Sequence, residues 1–191
     1  MTKAEIIHAI SKHYLPLPTA CIADLIAYSK LLEVDKQTEL VREGQYSDKV
    51  FYIAKGSARA YLLKDGRDVS DWFAFDNEFV SSINSFFAHV PSPHFIETVE
   101  PSLLLEVRRD KVLELAEKYP AFSRLEKKIL VDTLLKLQYR IAAMQFETAQ
   151  QKYLSLLAAR PDIADRIPVT HMASYLGITI ETLSRIRHGK Q

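Results

Sequence analysis

The chain has 191 residues, 48% of them hydrophobic and 26% charged, enough for one domain with a real core or for two small ones, which excludes fibrous, collagen-like and disordered classes. Its 25 Lys and Arg nearly cancel its 24 Asp and Glu, leaving a net charge of +1, so any polyanion site must be a local patch. A single cysteine, Cys21, rules out an internal disulfide and cannot alone hold an iron–sulfur cluster or a structural zinc. With no signal-peptide core at the N-terminus and no apolar run of about 18 residues, the expectation is a cytoplasmic protein without membrane contact.

Residues 3–30 read as helical, with Ile6, Ile7 and Ile10 on one stripe, a break at Pro16 and Pro18, and Ile22, Leu25 and Ile26 on a second stripe. From about Leu31 to Val107 the texture is that of strands. The β-branched and aromatic runs 50–53, 58–63 and 69–75 alternate with turns at Glu43-Gly44, Lys55-Gly56 and Asp65-Gly66. Asp65-Gly66 between two such runs predicts a tight hairpin, and the whole predicts an antiparallel β-roll or barrel. After Arg108 the pattern is helical, broken near Tyr119-Pro120, Arg160-Pro161 and Ile167-Pro168. Strands followed by helices predict an α+β architecture in two modules, 1–146 and 147–191.

A long helix over about 122–146 carries Leu130, Leu134, Leu137, Ile141 and Met144, spaced alternately by four and three residues. Such a stripe is either part of an ordinary core or the seam of a homodimer. The dimer is the expectation, because Ile129, Val131 and Leu135 offer a second apolar face for the strand module.

Residues 170–187 spell a helix-turn-helix. Met172, Ala173 and Leu176 face inward on the first helix, Gly177 ends it in the left-handed conformation, Thr179 caps the second, and Leu183 and Ile186 return to the core. The outward face then presents Glu181, Thr182, Arg185 and His188. Arginine pairs with guanine, glutamate accepts from cytosine, and threonine reaches phosphate or a thymine methyl. Arg187 and Lys190 add a local positive end, and Thr170, His171 and Thr179 complete the candidate DNA-contacting set. The competing reading makes Glu181 and Arg185 a surface ion pair.

On two stretches the sequence resembles the Crp/Fnr family of bacterial transcription regulators over nearly its whole length. Glu43-Gly44 through Gly56 to Tyr61 resembles the opening of a cyclic-nucleotide-binding β-roll, and Ala173 to Arg185 is similar to the family's helix-turn-helix. The resemblance implies a β-roll sensor with flanking helices, a long dimerisation helix and a C-terminal DNA-binding module. It further implies a homodimer on double-stranded DNA, its two recognition helices in successive major grooves.

The resemblance breaks where a ligand would lie. Nucleotide-binding members carry Phe-Gly-Glu and, about ten residues on, an arginine followed by Ser or Thr; here the slots hold Phe79-Val80-Ser81 and Ser92-Pro93. Without that arginine the cyclic phosphate loses a bidentate partner, so cyclic AMP is not the expected signal. Ser81, Ser82, Asn84, Ser92 and His94 form either a surface loop or a site for a smaller, less charged effector of unknown identity. No cofactor or metal is expected, since the six histidines lack ligand spacing. Ending at Gln191, the chain is also expected to lack the β-hairpin wing that many members place after the recognition helix.

No enzyme motif is present, and Asp71, Asp76 and Glu78 read as solvent or turn acids rather than a catalytic pair. The expected function is a DNA-binding transcription regulator. The alternative is a ligand-binding or protein-interaction module with a repurposed helix-turn-helix.

Overall fold

A computed structural model describes residues 1–189. Helices α1 (Lys3–His13) and α2 (Thr19–Tyr28) come first. In α1 the Thr2 hydroxyl accepts from the Glu5 amide and the Glu5 carboxylate accepts from the Thr2 amide, a capping box that satisfies two otherwise orphaned donors. Ile6, Ile7, Ile10, Ile22 and Leu25 are buried, so both predicted stripes face inward.

Eight strands follow: β1 (Lys30–Val34), β2 (Glu39–Val41), β3 (Lys49–Lys55), β4 (Ala58–Lys64), β5 (Arg67–Ala74), β6 (Phe79–Val80), β7 (Phe95–Thr98) and β8 (Ser102–Arg108). A short helix, α3 (Ile83–Ala88), interrupts them before β7. They form two four-stranded sheets, ordered β1-β8-β3-β6 and β2-β7-β4-β5, with every pairing antiparallel. Val41, Ala60 and Ile96 of one sheet meet Phe51, Ile53 and Leu104 of the other in a shared core. This is the expected β-roll. The β4–β5 hairpin closes at Asp65 and Gly66, both at positive φ (52° and 73°), as a two-residue turn matched to strand twist requires.

Six helices complete the chain: α4 (Arg109–Lys118), α5 (Pro120–Phe146), α6 (Ala149–Ala159), α7 (Ile163–Arg166), α8 (Val169–Leu176) and α9 (Ile180–Arg187). None is long and apolar enough to cross a membrane. Pro120 opens the first turn of α5, where its missing N–H costs no helical hydrogen bond. Only the start of that helix is buried, at Ala121, Phe122 and Leu125.

The faces of α5 differ from the sequence expectation. Ile129 packs against the core beneath α1 and α2, but Val131 and Leu135 are 44% and 43% exposed rather than turned to the β-roll. Leu130 and Leu137 border a cavity against the β-roll, with Leu130 and Met144 each still 42% exposed, and the Met144 methyl lies where a Cβ on Gly177 would meet it at 2.9 Å. The reason is helical phase: 130, 133, 137, 140 and 144 share the inner face, whereas 131, 134, 135 and 141 fall outside it.

The core of the C-terminal helices is not self-contained. Ile163, Ile167, Met172, Ala173, Leu176 and Leu183 pack together with Phe73 and Phe75 from the β5 region and Val99 after β7.

Candidate DNA-reading surface and effector cavity

The helix-turn-helix is built as its residues predict. Gly177 has φ 66°, and the Ile178 amide donates to the Ala173 carbonyl at 3.0 Å, closing α8 with a left-handed residue that no β-branched side chain could replace cheaply. The Thr179 hydroxyl accepts from the Thr182 amide at 3.1 Å and caps α9. Leu183 is fully buried, which fixes the rotation of α9 and leaves Glu181, Arg185, Arg187 and His188 exposed. Thr170 is exposed on the first turn of α8, and Thr182 is half-buried at the rim. Arg185 reaches the Thr182 hydroxyl at 3.4 Å, and among the described residues neither Arg185 nor Arg187 is held in an ion pair. Lys190 lies outside the described residues.

His171 is a correction. It is half-buried against the β-roll, with its Nδ1 buried and without a hydrogen-bond partner among the described residues. Burial first, then the nearby charge of Arg59, holds its pKa below the ordinary value. Helical spacing accounts for this, since Ser174 and Tyr175 share its face. The Ser174 hydroxyl accepts from the Ser70 amide at 2.7 Å, and Tyr175 packs on Phe73 with ring centroids 5.0 Å apart. This face of α8 is therefore the one docked on β5.

A cavity of about 410 Å³ lies between the β-roll and α5. Trp72, Phe79, Phe86, Phe87, Leu130 and Leu137 make most of its wall apolar; Asp71, Ser81, Asn84, His94, Glu126 and Thr133 supply the polar groups. Among the described residues no lysine or arginine lines it. Ser81, Asn84 and His94 thus come together as expected, but Ser82 and Ser92 do not join them. Ser82 is buried at the start of α3. The Ser92 hydroxyl is spent on its own turn, donating to the His94 carbonyl at 2.8 Å. Since both are buried, they are not a surface loop either.

The three acids read as solvent or turn groups are instead ties between the β-roll and the helices. Asp71 lies 3.2 Å from His94 Nε2 and accepts from Arg140 at 2.9 Å. The His94 bond first and the Arg140 bond second, working against burial, hold its carboxyl down to about 2. Glu78 accepts from Lys136 of α5 and from the Phe75 amide. Asp76 receives Arg160 at 3.1 Å and Arg166 at 2.6 Å, while Arg166 also donates to Glu100 and to the Gly56 carbonyl at 2.8 Å. A Cβ on Gly56 would collide with Ser102, so glycine is required where the β-roll receives Arg166.

An antiparallel β-roll with flanking helices, a long helix and a capped C-terminal helix-turn-helix, in that order, is the architecture of the Crp/Fnr class. The comparisons agree: residues 31–119 match the cyclic nucleotide-binding domain family. The nitrogen fixation regulation protein FixK of Rhizobium meliloti is 30% identical over 157 residues, covering 78% of this chain and 69% of that protein. The chain belongs to the Crp/Fnr family of transcription regulators. In fold it is similar to FixK2 of Bradyrhizobium japonicum, with a TM-score of 0.73 at 18% identity, covering 84% of this chain and 83% of the other. It is also similar to a Crp/Fnr-family regulator of Eubacterium rectale, with a TM-score of 0.71 at 17% identity, covering 93% and 87%.

Proposed function

We propose that this chain is a homodimeric, DNA-binding transcription regulator whose β-roll takes an effector other than cyclic AMP. Residues 147–191 form its reading module and residues 1–146 its sensor and dimer helix. The observation that carries the reading is the open face of α9: Glu181, Arg185 and Arg187 are exposed beyond a buried Leu183, the arrangement a recognition helix needs to present donors and acceptors to base edges. Arg185 and Glu181 would discriminate bases, and Thr170, Thr182, Arg187 and His188 would hold the backbone. A dimer is supported by the outer face of α5, where Leu134 and Ile141 are 63% and 59% exposed. Apolar side chains of that size on one helix face call for a second surface.

Cyclic AMP is disfavoured by charge. The cavity wall carries Asp71 and Glu126 but no cation other than what His94 can supply. Arg59, buried to 3% exposure, is committed to Asp68 and Glu97, and Arg140 to Asp71. A desolvated phosphodiester would find no free guanidinium. Selection from random duplexes tests the core of the reading. Enrichment of an inverted-repeat motif with half-sites about 34 Å apart is expected, and the absence of any motif, in the presence or absence of cell extract metabolites, overturns it.

A further inference from the structure

We infer that the β-roll cavity is a site for a mainly apolar small molecule bearing one amine, whose ammonium group pairs with Glu126 on α5. This rests on the reading of the β-roll as an effector module and adds the chemistry of the effector. The wall is lined by the aromatic rings of Trp72, Phe79, Phe86 and Phe87, which favours a hydrocarbon or aromatic body over a sugar phosphate. The two carboxylates on the wall are in different situations. Asp71 is already met by His94 and Arg140, so its charge is compensated within the chain. Glu126 differs: it lies on the cavity wall, no hydrogen bond or ion pair reaches its carboxylate among the described residues, and burial raises its carboxyl pKa.

An apolar cavity with one uncompensated acid has a definite preference. An anionic occupant would set like charge against Glu126. A neutral one would leave the Glu126 carboxylate with only its desolvation cost. An ammonium group offsets that cost with a charge-assisted hydrogen bond in a partly dry setting. Since Glu126 lies on α5 near Leu130 and Thr133 of the same wall, such an occupant would bridge the strand module and the long helix.

The test uses three probes with one skeleton: 4-phenylbutylamine, 4-phenylbutanol and 4-phenylbutyrate. Trp72 is the only tryptophan of the chain and lines the cavity, so its emission reports occupancy of this site. Saturable changes are expected with the amine and the alcohol, the amine about tenfold tighter, and the carboxylate at least about tenfold weaker than the alcohol. Glu126→Gln should abolish the amine's advantage over the alcohol. Equal or tighter binding of the carboxylate overturns the assignment, as does an amine preference that survives Glu126→Gln. The ranking of the probes on the unaltered protein stands even if the variant fails to fold. Because no DNA is present, amine-selective binding by a chain that enriches no DNA motif would support the site and remove only the regulator reading.

Discussion

The guanidinium of Arg140 lies 4.5 Å from the ring centroid of Tyr175 while donating to Asp71 at 2.9 Å. One side chain of α5 thereby joins the cavity wall to the first helix of the helix-turn-helix, by a cation–π contact on one side and an ion pair on the other. Arg140→Met keeps much of the volume and removes both. It should lower stability by about 1–2 kcal/mol in urea unfolding. A double-mutant cycle with Tyr175→Leu should return a coupling of at least about 0.5 kcal/mol.

Asp71 also predicts a pH dependence. Its folded pKa of about 2 lies below the ordinary 3.8, so the folded state favours the ionised form. That contribution is fully present above the unfolded value and is lost as pH falls toward the folded one. Between about pH 4 and pH 2 the wild type should lose more stability than Asp71→Asn. Denaturation midpoints measured across that window check it; parallel curves would count against it.

The two faces of α5 should separate assembly from folding. Leu134→Glu, on the outer face, should convert the proposed dimer to a monomer in sedimentation at micromolar concentration with little change in the monomer's unfolding curve. Leu137→Asp places a charge in the cavity wall and should destabilise the fold by about 2–4 kcal/mol.

On DNA, Arg185→Ala should cost about 1–3 kcal/mol on the selected site and much less on random duplex. Arg187→Ala should weaken both alike and reduce the salt slope by about one. Titrations at several salt concentrations distinguish the two.

Calorimetry with cyclic AMP and cyclic GMP should give dissociation constants weaker than about 1 mM. Saturable micromolar binding lost on Ser81→Ala would mean that the cavity holds the phosphate through donors other than arginine.

What the sequence made legible was local. The Asp65-Gly66 hairpin, the Gly177 cap, the Thr179 cap and the buried Leu183 depend on neighbours within a few residues, and each is where its residue type placed it. Asp71 and Asp76 look like solvent or turn acids in the sequence because their partners are remote: Arg140 is 69 residues from Asp71 and Arg166 is 90 from Asp76. Nothing in either neighbourhood announces the other. The faces of α5 and α8 failed for a related reason. Periodicity reveals that Val131, Leu135 and His171 share a stripe with other residues, but not which stripe the β-roll will choose. Glu126 has no local mark at all, since only the fold brings it to the wall of the aromatic-lined cavity.

Phe73, Phe75 and Val99 help fill the core beneath α8 and α9, so the reading head is not a portable cassette. Excised at residue 147, it would expose the apolar underside of Met172, Leu176 and Leu183, and grafted onto a foreign sensor it would meet the wrong floor. Exchange of heads between relatives by recombination would have to carry a matching β5 segment along. Drift at Phe73 or Phe75 is likewise constrained by substitutions a hundred residues downstream as much as by neighbours in their own sheet.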